Sequence, residues 1–362
     1  MRKLICVLLS LLMAALLPAG ALGDRWYSFQ EDEVPQEPGF LVNEFTGDIT
    51  ITFLGDCTLG GESTSVNKYN GYVQTINRNG YAYPFKNLLA LTGSDDLTVA
   101  NLEGVLSDNP LDKVEKEFNF MGPADFAKIL TEGSIECVTL ANNHSHDYGA
   151  QGYADTKAAL EAEQVAYFGS DGMAVWERDG LMIGFVGVSG DAGEAFERQV
   201  SQLWDMGCCC VILFMHAGRE NEGTIIDRQR QNAKKAAELG CTLVIGSHPH
   251  VVQGYDEVDG MPVVYSLGNC SFGGNHNPSD KDALAVQAVI HFEEGAPSGV
   301  TLHLYPISVS STAERNNFCP RLLSGSSAER VLKKMEASTG WELPEYQDGA
   351  GAVIECGKTA EE

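Results

Sequence analysis

Cys241-Thr242-Leu243-Val244-Ile245-Gly246-Ser247-His248-Pro249-His250 is the stretch that decides how the rest of the chain is read. Its first five residues are apolar or β-branched and predict a short buried strand. Pro249 favours a turn directly after it, so two imidazoles one residue apart can be aimed into one cleft. Neutral imidazole is the commonest protein metal ligand near neutral pH. A lone pair of this kind is more often two solvated loop histidines. The weight therefore falls on whether other strand ends carry matching groups.

Four do. Residues 48–54 alternate like a strand and run into Gly55-Asp56, and residues 95–100 run into Asn101-Leu102-Glu103-Gly104. Residues 135–141 deliver Asn142-Asn143-His144, followed by His146 and Asp147, while residues 208–215 deliver His216, then Gly218 and Glu220. In open α/β sheets the ligand crevice lies beyond the carboxyl ends of the strands. The recurrence predicts an α/β fold with one site at the C-terminal ends of its strands. Carboxylate, amide oxygen and imidazole without sulfur suit Mn, Fe or Zn. The set exceeds the needs of one tetrahedral zinc and suits two ions sharing a carboxylate, a clamp for in-line displacement. One or two divalent ions are expected, with hydrolysis or transfer at a phosphoryl or acyl centre. His144, beside Asn143, is the expected proton donor to the leaving group.

At this point the residues resemble a known family, the CapA/PgsA-like poly-γ-glutamate capsule synthesis proteins, whose domain is similar to the calcineurin-like metallophosphoesterases. The resemblance is carried by Phe53-Leu54-Gly55-Asp56, Asn101-Leu102-Glu103, Asn142-Asn143-His144 with Asp147 and Gly149, and His216-Ala217-Gly218-Arg219-Glu220. It continues through Gly246-Ser247-His248-Pro249-His250-Val251 with Gln253 and Tyr265-Ser266-Leu267-Gly268-Asn269, in the family's order, over residues 48–310. It implies a metallophosphoesterase-like layered α/β sandwich with mixed central sheets, Asp56 and His250 on one metal and Glu103 or Asn101 at the bridging place. Asn143, His216 and His248 would hold the second metal, with His144 as proton donor. Asp147 and Glu220 are the further catalytic candidates, and Asn101, Asn142, Arg219 and Asn269 the substrate contacts.

Three departures stand out. Metallophosphoesterases open with Asp-x-His, but Asp56 is followed by Cys57 and Thr58, which leaves the first metal short of a ligand. The bridging carboxylate would be a glutamate where the phosphoesterases use aspartate. Ala217 and Cys270 stand where the capsule family usually has aromatics. The resemblance implies an exported protein for synthesis or export of poly-γ-glutamate, partnered by capsule polymer synthesis and export membrane proteins. Its substrate would be polyglutamate or another cell-envelope bond, a phosphoester or a γ-glutamyl amide. The alternative is a metal-containing scaffold or polymer-binding subunit without turnover.

Composition agrees with a folded, exported chain. Hydrophobic residues make up 44% of 362 residues, enough for a substantial core. Arg2-Lys3, an apolar run over residues 4–17 and the small residues Ala21 and Gly23 predict a signal peptide at 1–23, or an uncleaved anchor, giving a secreted or extracytoplasmic protein. The formal net charge of −26 disfavours nucleic acid and anionic lipid as partners. It also opposes a free polyanionic substrate unless a metal inverts the field locally. The cysteines, three of them consecutive at 208–210, read as small buried hydrophobes and not as a disulfide framework. Residues 24–45 read as an acidic linker, 46–310 as the domain, and 311–362 as a C-terminal helix with an acidic tail. Helices are expected at 123–132, 152–164, 194–206, 224–239 and 326–338. Late strands at 284–292 and 300–307 are expected to close one sheet edge as an antiparallel pair. His276 is a weak extra ligand candidate.

Overall fold

The computed structural model of the protein describes residues 24–30 and 44–356. The expected leader and residues 31–43 lie outside the described residues. In chain order the strands are β1 (Arg25–Gln30), β2 (Gly47–Thr58), β3 (Leu97–Leu102), β4 (Val105–Leu106), β5 (Met121–Gly122), β6 (Cys137–Thr139), β7 (Ala166–Phe168), β8 (Gly172–Arg178) and β9 (Leu181–Ser189). They continue as β10 (Cys210–His216), β11 (Leu243–Ser247), β12 (Val252–Val258), β13 (Met261–Leu267), β14 (Asn269–Phe272), β15 (Asp282–Glu293), β16 (Ala296–Ser308), β17 (Arg321–Leu322) and β18 (Ala352–Cys356). The main helices are α1 (Tyr72–Asn79), α2 (Gly149–Ala162), α3 (Glu194–Asp205), α4 (Asp227–Glu238) and α5 (Gly325–Thr339).

Two mixed sheets stack face to face. One runs β1-β8-β9-β10-β11-β13-β12; the other runs β17-β16-β15-β2-β3-β6-β7, with β14 beside β2 and β18 beside β16. The sequence dictates this sandwich through strands that are apolar on both faces. In β10, Ile212 and Phe214 point between the sheets, while Val211, Leu213 and Met215 point into the layer of α3 and α4. In β2, Ile49, Ile51 and Phe53 enter the same inter-sheet core, where Phe53 and Phe214 meet at a centroid distance of 6.5 Å. Leu54 and Cys57 face the other way, toward α1 and α2. The order is therefore helices, sheet, sheet, helices, the layered sandwich that the family resemblance implies.

Parallel neighbours β2-β3-β6 and β9-β10-β11 bring their carboxyl ends to one rim. Two glycines let the backbones close up there. A Cβ on Gly55 would stand 2.0 Å from the carbonyl oxygen of Gly268, and one on Gly246 2.0 Å from that of Tyr265. The approach at Gly55 allows the Asp56 amide to donate to the Gly268 carbonyl at 3.0 Å.

The chain's two ends depart from the expected organisation. Residues 25–30, expected within a linker, form an edge strand antiparallel to β8, because their aromatics suit a half-buried strand: Trp26 meets Phe185 at 5.5 Å. At the other end, β17, α5 and β18 belong to the domain, and β18 pairs with β16 from Val300↔Cys356 to Leu304↔Ala352. The late strands are antiparallel as expected, but they do not form an edge: β15 also pairs with β2, and β16 is covered by β17 and β18. Nine cysteines among the described residues are free thiols, eight of them buried. Among the described residues no helix is long and apolar enough to cross a membrane.

Candidate metal centre

The rim collects the groups that the strand ends predict. Asp56, within β2, is fully buried; its Oδ1 accepts from Asn101 Nδ2 at 2.7 Å, and its Oδ2 accepts the His248 amide at 3.2 Å and lies 3.1 Å from His250 Nδ1. His250 Nδ1 is also 2.9 Å from Asn269 Oδ1, and Asn269 heads β14 directly opposite Asp56. The turn that aims these imidazoles is strained: His248 has φ +97° and His250 φ +59°. Left-handed backbone at a non-glycine residue costs about 1–3 kcal/mol and gathers at functional sites.

Glu103 is the centre's decisive group. It is fully buried, and neither carboxylate oxygen has a hydrogen-bond partner. The nearest imidazole nitrogens stand off: His216 Nε2 at 3.7 Å, His144 Nε2 at 3.9 Å and His250 Nδ1 at 4.0 Å. An ionised carboxylate buried without donors costs several kcal/mol. Asp56, Glu103 and His250 each offer a ligand atom, all within 4.8 Å of one another. The residues fit a hard or borderline divalent cation, because it would supply the positive charge that Glu103 lacks.

A second group faces the first. His216, the last residue of β10, places Nε2 2.8 Å from Asn143 Oδ1 and 3.1 Å from His248 Nδ1, while its Nδ1 meets Ser247 Oγ at 2.9 Å. Burial pushes His216 well below its ordinary pKa and His248 below it as well. Both are therefore neutral and competent as ligands. Burial also opposes charge on His250, but Glu103 and Asp56 outweigh it and raise that imidazole's pKa. Burial and the Asp56 charge raise Glu103; Asp56 itself is burdened by burial yet lowered overall, by the His250 hydrogen bond and charge and by the hydrogen bond from Asn101.

His144 sits beside this cluster in a bracket of its own. Its Nδ1 is 2.7 Å from Asp147 Oδ2, its amide donates to Asn142 Oδ1 at 3.0 Å, and the Phe120 ring stacks on it at 4.3 Å. Asn142 is tied in turn to Asn101 Oδ1 and the Leu102 carbonyl, both at 2.9 Å. A cavity of roughly 210 Å³ opens above, lined by His144, His250, Asn269 and Glu220, with Phe118, Phe120 and Phe272 as an aromatic wall. Glu220 lies in the lining, whereas Arg219 is exposed, outside that lining, and paired with Glu222 at 3.6 Å. His276 packs against Phe318 and does not join the cluster. Cys57 turns its thiol to the Gly55 carbonyl at 3.5 Å. Thr58, in the place of the missing histidine, is buried with its hydroxyl unpartnered.

Sequence reasoning misses Lys116, Phe118, Phe120, Ser247 and Phe272. Lys116 stands in Asp112-Lys113-Val114-Glu115-Lys116-Glu117, which reads as solvated charge. Only Ser247 carries a signal, as the residue between Gly246 and His248.

Residues 50–273 match a family described as bacterial capsule synthesis protein PGA_cap. Similar curated proteins include the capsule biosynthesis protein CapA of Bacillus anthracis, 25% identical over 70% of each chain. Another is the PGA biosynthesis protein CapA of Bacillus subtilis (strain 168), 26% identical over 64% of this chain and 65% of that relative. Among solved structures, TT1561 of Thermus thermophilus is 12% identical, with a TM-score of 0.37 over 66% of this chain and 94% of that one. Chaetomium thermophilum Vps29 is also 12% identical, with a TM-score of 0.32 over 76% and 92%. Scores this low bear on neither function nor fold.

Proposed function

The chain belongs to the bacterial capsule synthesis protein family, and from that premise we propose that it is an exported, metal-dependent hydrolase or transferase of poly-γ-glutamate metabolism. The bond it cleaves or transfers is a phosphoester or a γ-glutamyl amide. The observation that carries this reading is Glu103: a buried carboxylate without a donor, with Asp56 and His250 around it, His250 itself bordering the cavity. Glu103, Asp56 and His250 would hold one divalent ion (Mn, Zn or Fe), and Asn143, His216 and His248 a second.

Such an ion would supply Lewis-acid polarisation of a phosphoryl or acyl oxygen. The chain's own residues supply the rest. His144, held at Nδ1 by Asp147, turns Nε2 toward Glu103 and borders the cavity, where as imidazolium it passes a proton to the leaving group. Asn269 and Glu220 border the same space, and the aromatic wall keeps water from one side of it. Among the described residues, no lysine or arginine lines the cavity. An anionic substrate group would therefore depend on the metal for its counter-charge.

Purified protein loaded with Mn, Zn or Fe is expected to cleave bis(p-nitrophenyl) phosphate or a γ-glutamyl polymer. His144→Ala should abolish turnover at unchanged metal content. Turnover that survives the substitution removes His144 from its role.

The absent histidine at Thr58 favours a second reading, a scaffold that keeps a metal for structure or polymer binding. In that case no loaded form turns over, and chelation releases bound polymer or the membrane partners of the capsule apparatus.

A further inference from the structure

Asp147 and His144 are surrounded by one irregular segment, residues 107–120, that nothing in the motif pattern points to. Lys116 reaches from it with Nζ 2.6 Å from Asp147 Oδ1, 2.8 Å from the Asn143 carbonyl oxygen and 3.2 Å from His144 Nδ1. The Phe120 amide donates to Asp147 Oδ2 at 2.6 Å. The Asp147 carbonyl accepts from the Val114 amide at 2.9 Å and from Asn119 Nδ2 at 3.3 Å. The same segment lays the Phe120 ring over the face of His144.

These contacts leave the imidazole little freedom. Asp147 holds one edge and Phe120 one face, so Nε2 is the ring nitrogen left toward Glu103 and the cavity. Asp147 can do this only if its own carboxylate is fixed, and its second oxygen is fixed by Lys116. The lysine side chain is 27% exposed, whereas that of Asp147 is fully buried. The ammonium thus brings positive charge from the solvent edge to a carboxylate that solvent does not reach. Its bond to the Asn143 carbonyl also ties residues 107–120 to the turn that carries Asn143.

We propose that Lys116 is the positioning residue of this site: through Asp147 and the Asn143 backbone it holds the His144 ring with Nε2 directed at the reacting bond. The proposal rests on the reading of His144 as the proton-transferring group.

Lys116→Met and Lys116→Arg, compared with the wild type in the full chain, test it. In Lys116→Met, metal content should be unchanged and kcat for bis(p-nitrophenyl) phosphate should fall about 100-fold, the scale of a small misplacement of a catalytic group. KM should stay within about twofold, because Lys116 lies outside the cavity lining. Lys116→Arg should recover at least about tenfold of the loss, since it restores the ionic hydrogen bond to Asp147. Independently of turnover, ring relaxation of isotope-labelled His144 should report one ordered rotamer in the wild type and the arginine variant, and rotamer averaging in the methionine variant. Equal ring order in all three, or kcat and KM changing together with a lowered Tm, overturns the proposal and leaves Lys116 a loop anchor. If the wild type turns over no substrate with any metal, the hydrolase reading fails, and ring order alone decides the role of Lys116.

Discussion

Glu103 and Asp147 are both fully buried carboxylates, and the His144 ring stands between them with a nitrogen toward each. Their surroundings are opposite. Asp147 is saturated: Lys116 and the Phe120 amide donate to it, and His144 Nδ1 meets it at 2.7 Å. Glu103, at the end of β3, has no donor on either oxygen. A carboxylate whose partners are all present is a structural tie, and a buried one without any holds a proton or exchanges it for a cation. The contrast separates the bracket that orients the His144 ring from the Asp56, Glu103 and His250 cluster that could hold an ion.

The largest effect should come from the saturated side. Asp147→Ala strips Lys116, the Phe120 amide and His144 of their shared partner and should destabilise the protein by about 3 kcal/mol. Urea unfolding checks it, and a change below about 0.5 kcal/mol would erase the distinction between the two carboxylates.

Glu103→Gln should do the reverse to the metal-free protein and stabilise it by about 1–2 kcal/mol near neutral pH, because burial and the Asp56 charge raise Glu103 to about 8 and the wild type must take up a proton there to fold. The same change should abolish the rise in Tm that Mn or Zn gives the wild type. A metal-free variant less stable than the wild type would show that Glu103 has a partner of its own.

The pH dependence of metal uptake sharpens the contrast further. Burial and the Asp56 charge raise the proton affinity of Glu103, and the two carboxylates raise that of His250 against the effect of its burial. A metal must displace those protons, so affinity should climb as pH rises from about 6 to 9, by up to about tenfold per unit for each proton released. Calorimetry in buffers of different ionisation enthalpy counts the protons. Uptake insensitive to pH would place the ion elsewhere.

The smallest effect is expected at Arg219, which is exposed and paired only across the surface. Arg219→Ala should move stability by less than about 0.5 kcal/mol and leave metal content unchanged.

The legible parts of this site follow from local rules. Asp56, Asn101, His216 and the two imidazoles of the 248–250 turn could be found because each lies at or just beyond an apolar run whose length and β-branching mark a buried strand. The helices at 194–205 and 227–238 were legible for a similar reason, since each fills the crossover between parallel strands. The N-terminal strand at 25–30 and the C-terminal strand at 352–356 were not. Each lies in an acidic stretch and pairs only through long-range partners at positions 172–177 and 300–304. Lys116 was hidden for a different reason. A lysine in a charged run looks solvated until a buried carboxylate from another element is brought to its tip.

What the sequence determined by itself is chemical type and approximate place: oxygen- and nitrogen-bearing side chains, without sulfur, at the ends of five strands. Strand periodicity and turn residues are local properties, so the chain carries them openly. The tertiary structure alone decided which carboxylate is satisfied and which is not. Desolvation and partner count belong to the packed interior, where residues 107–120 bring donors to Asp147 and no donor reaches the equally buried Glu103.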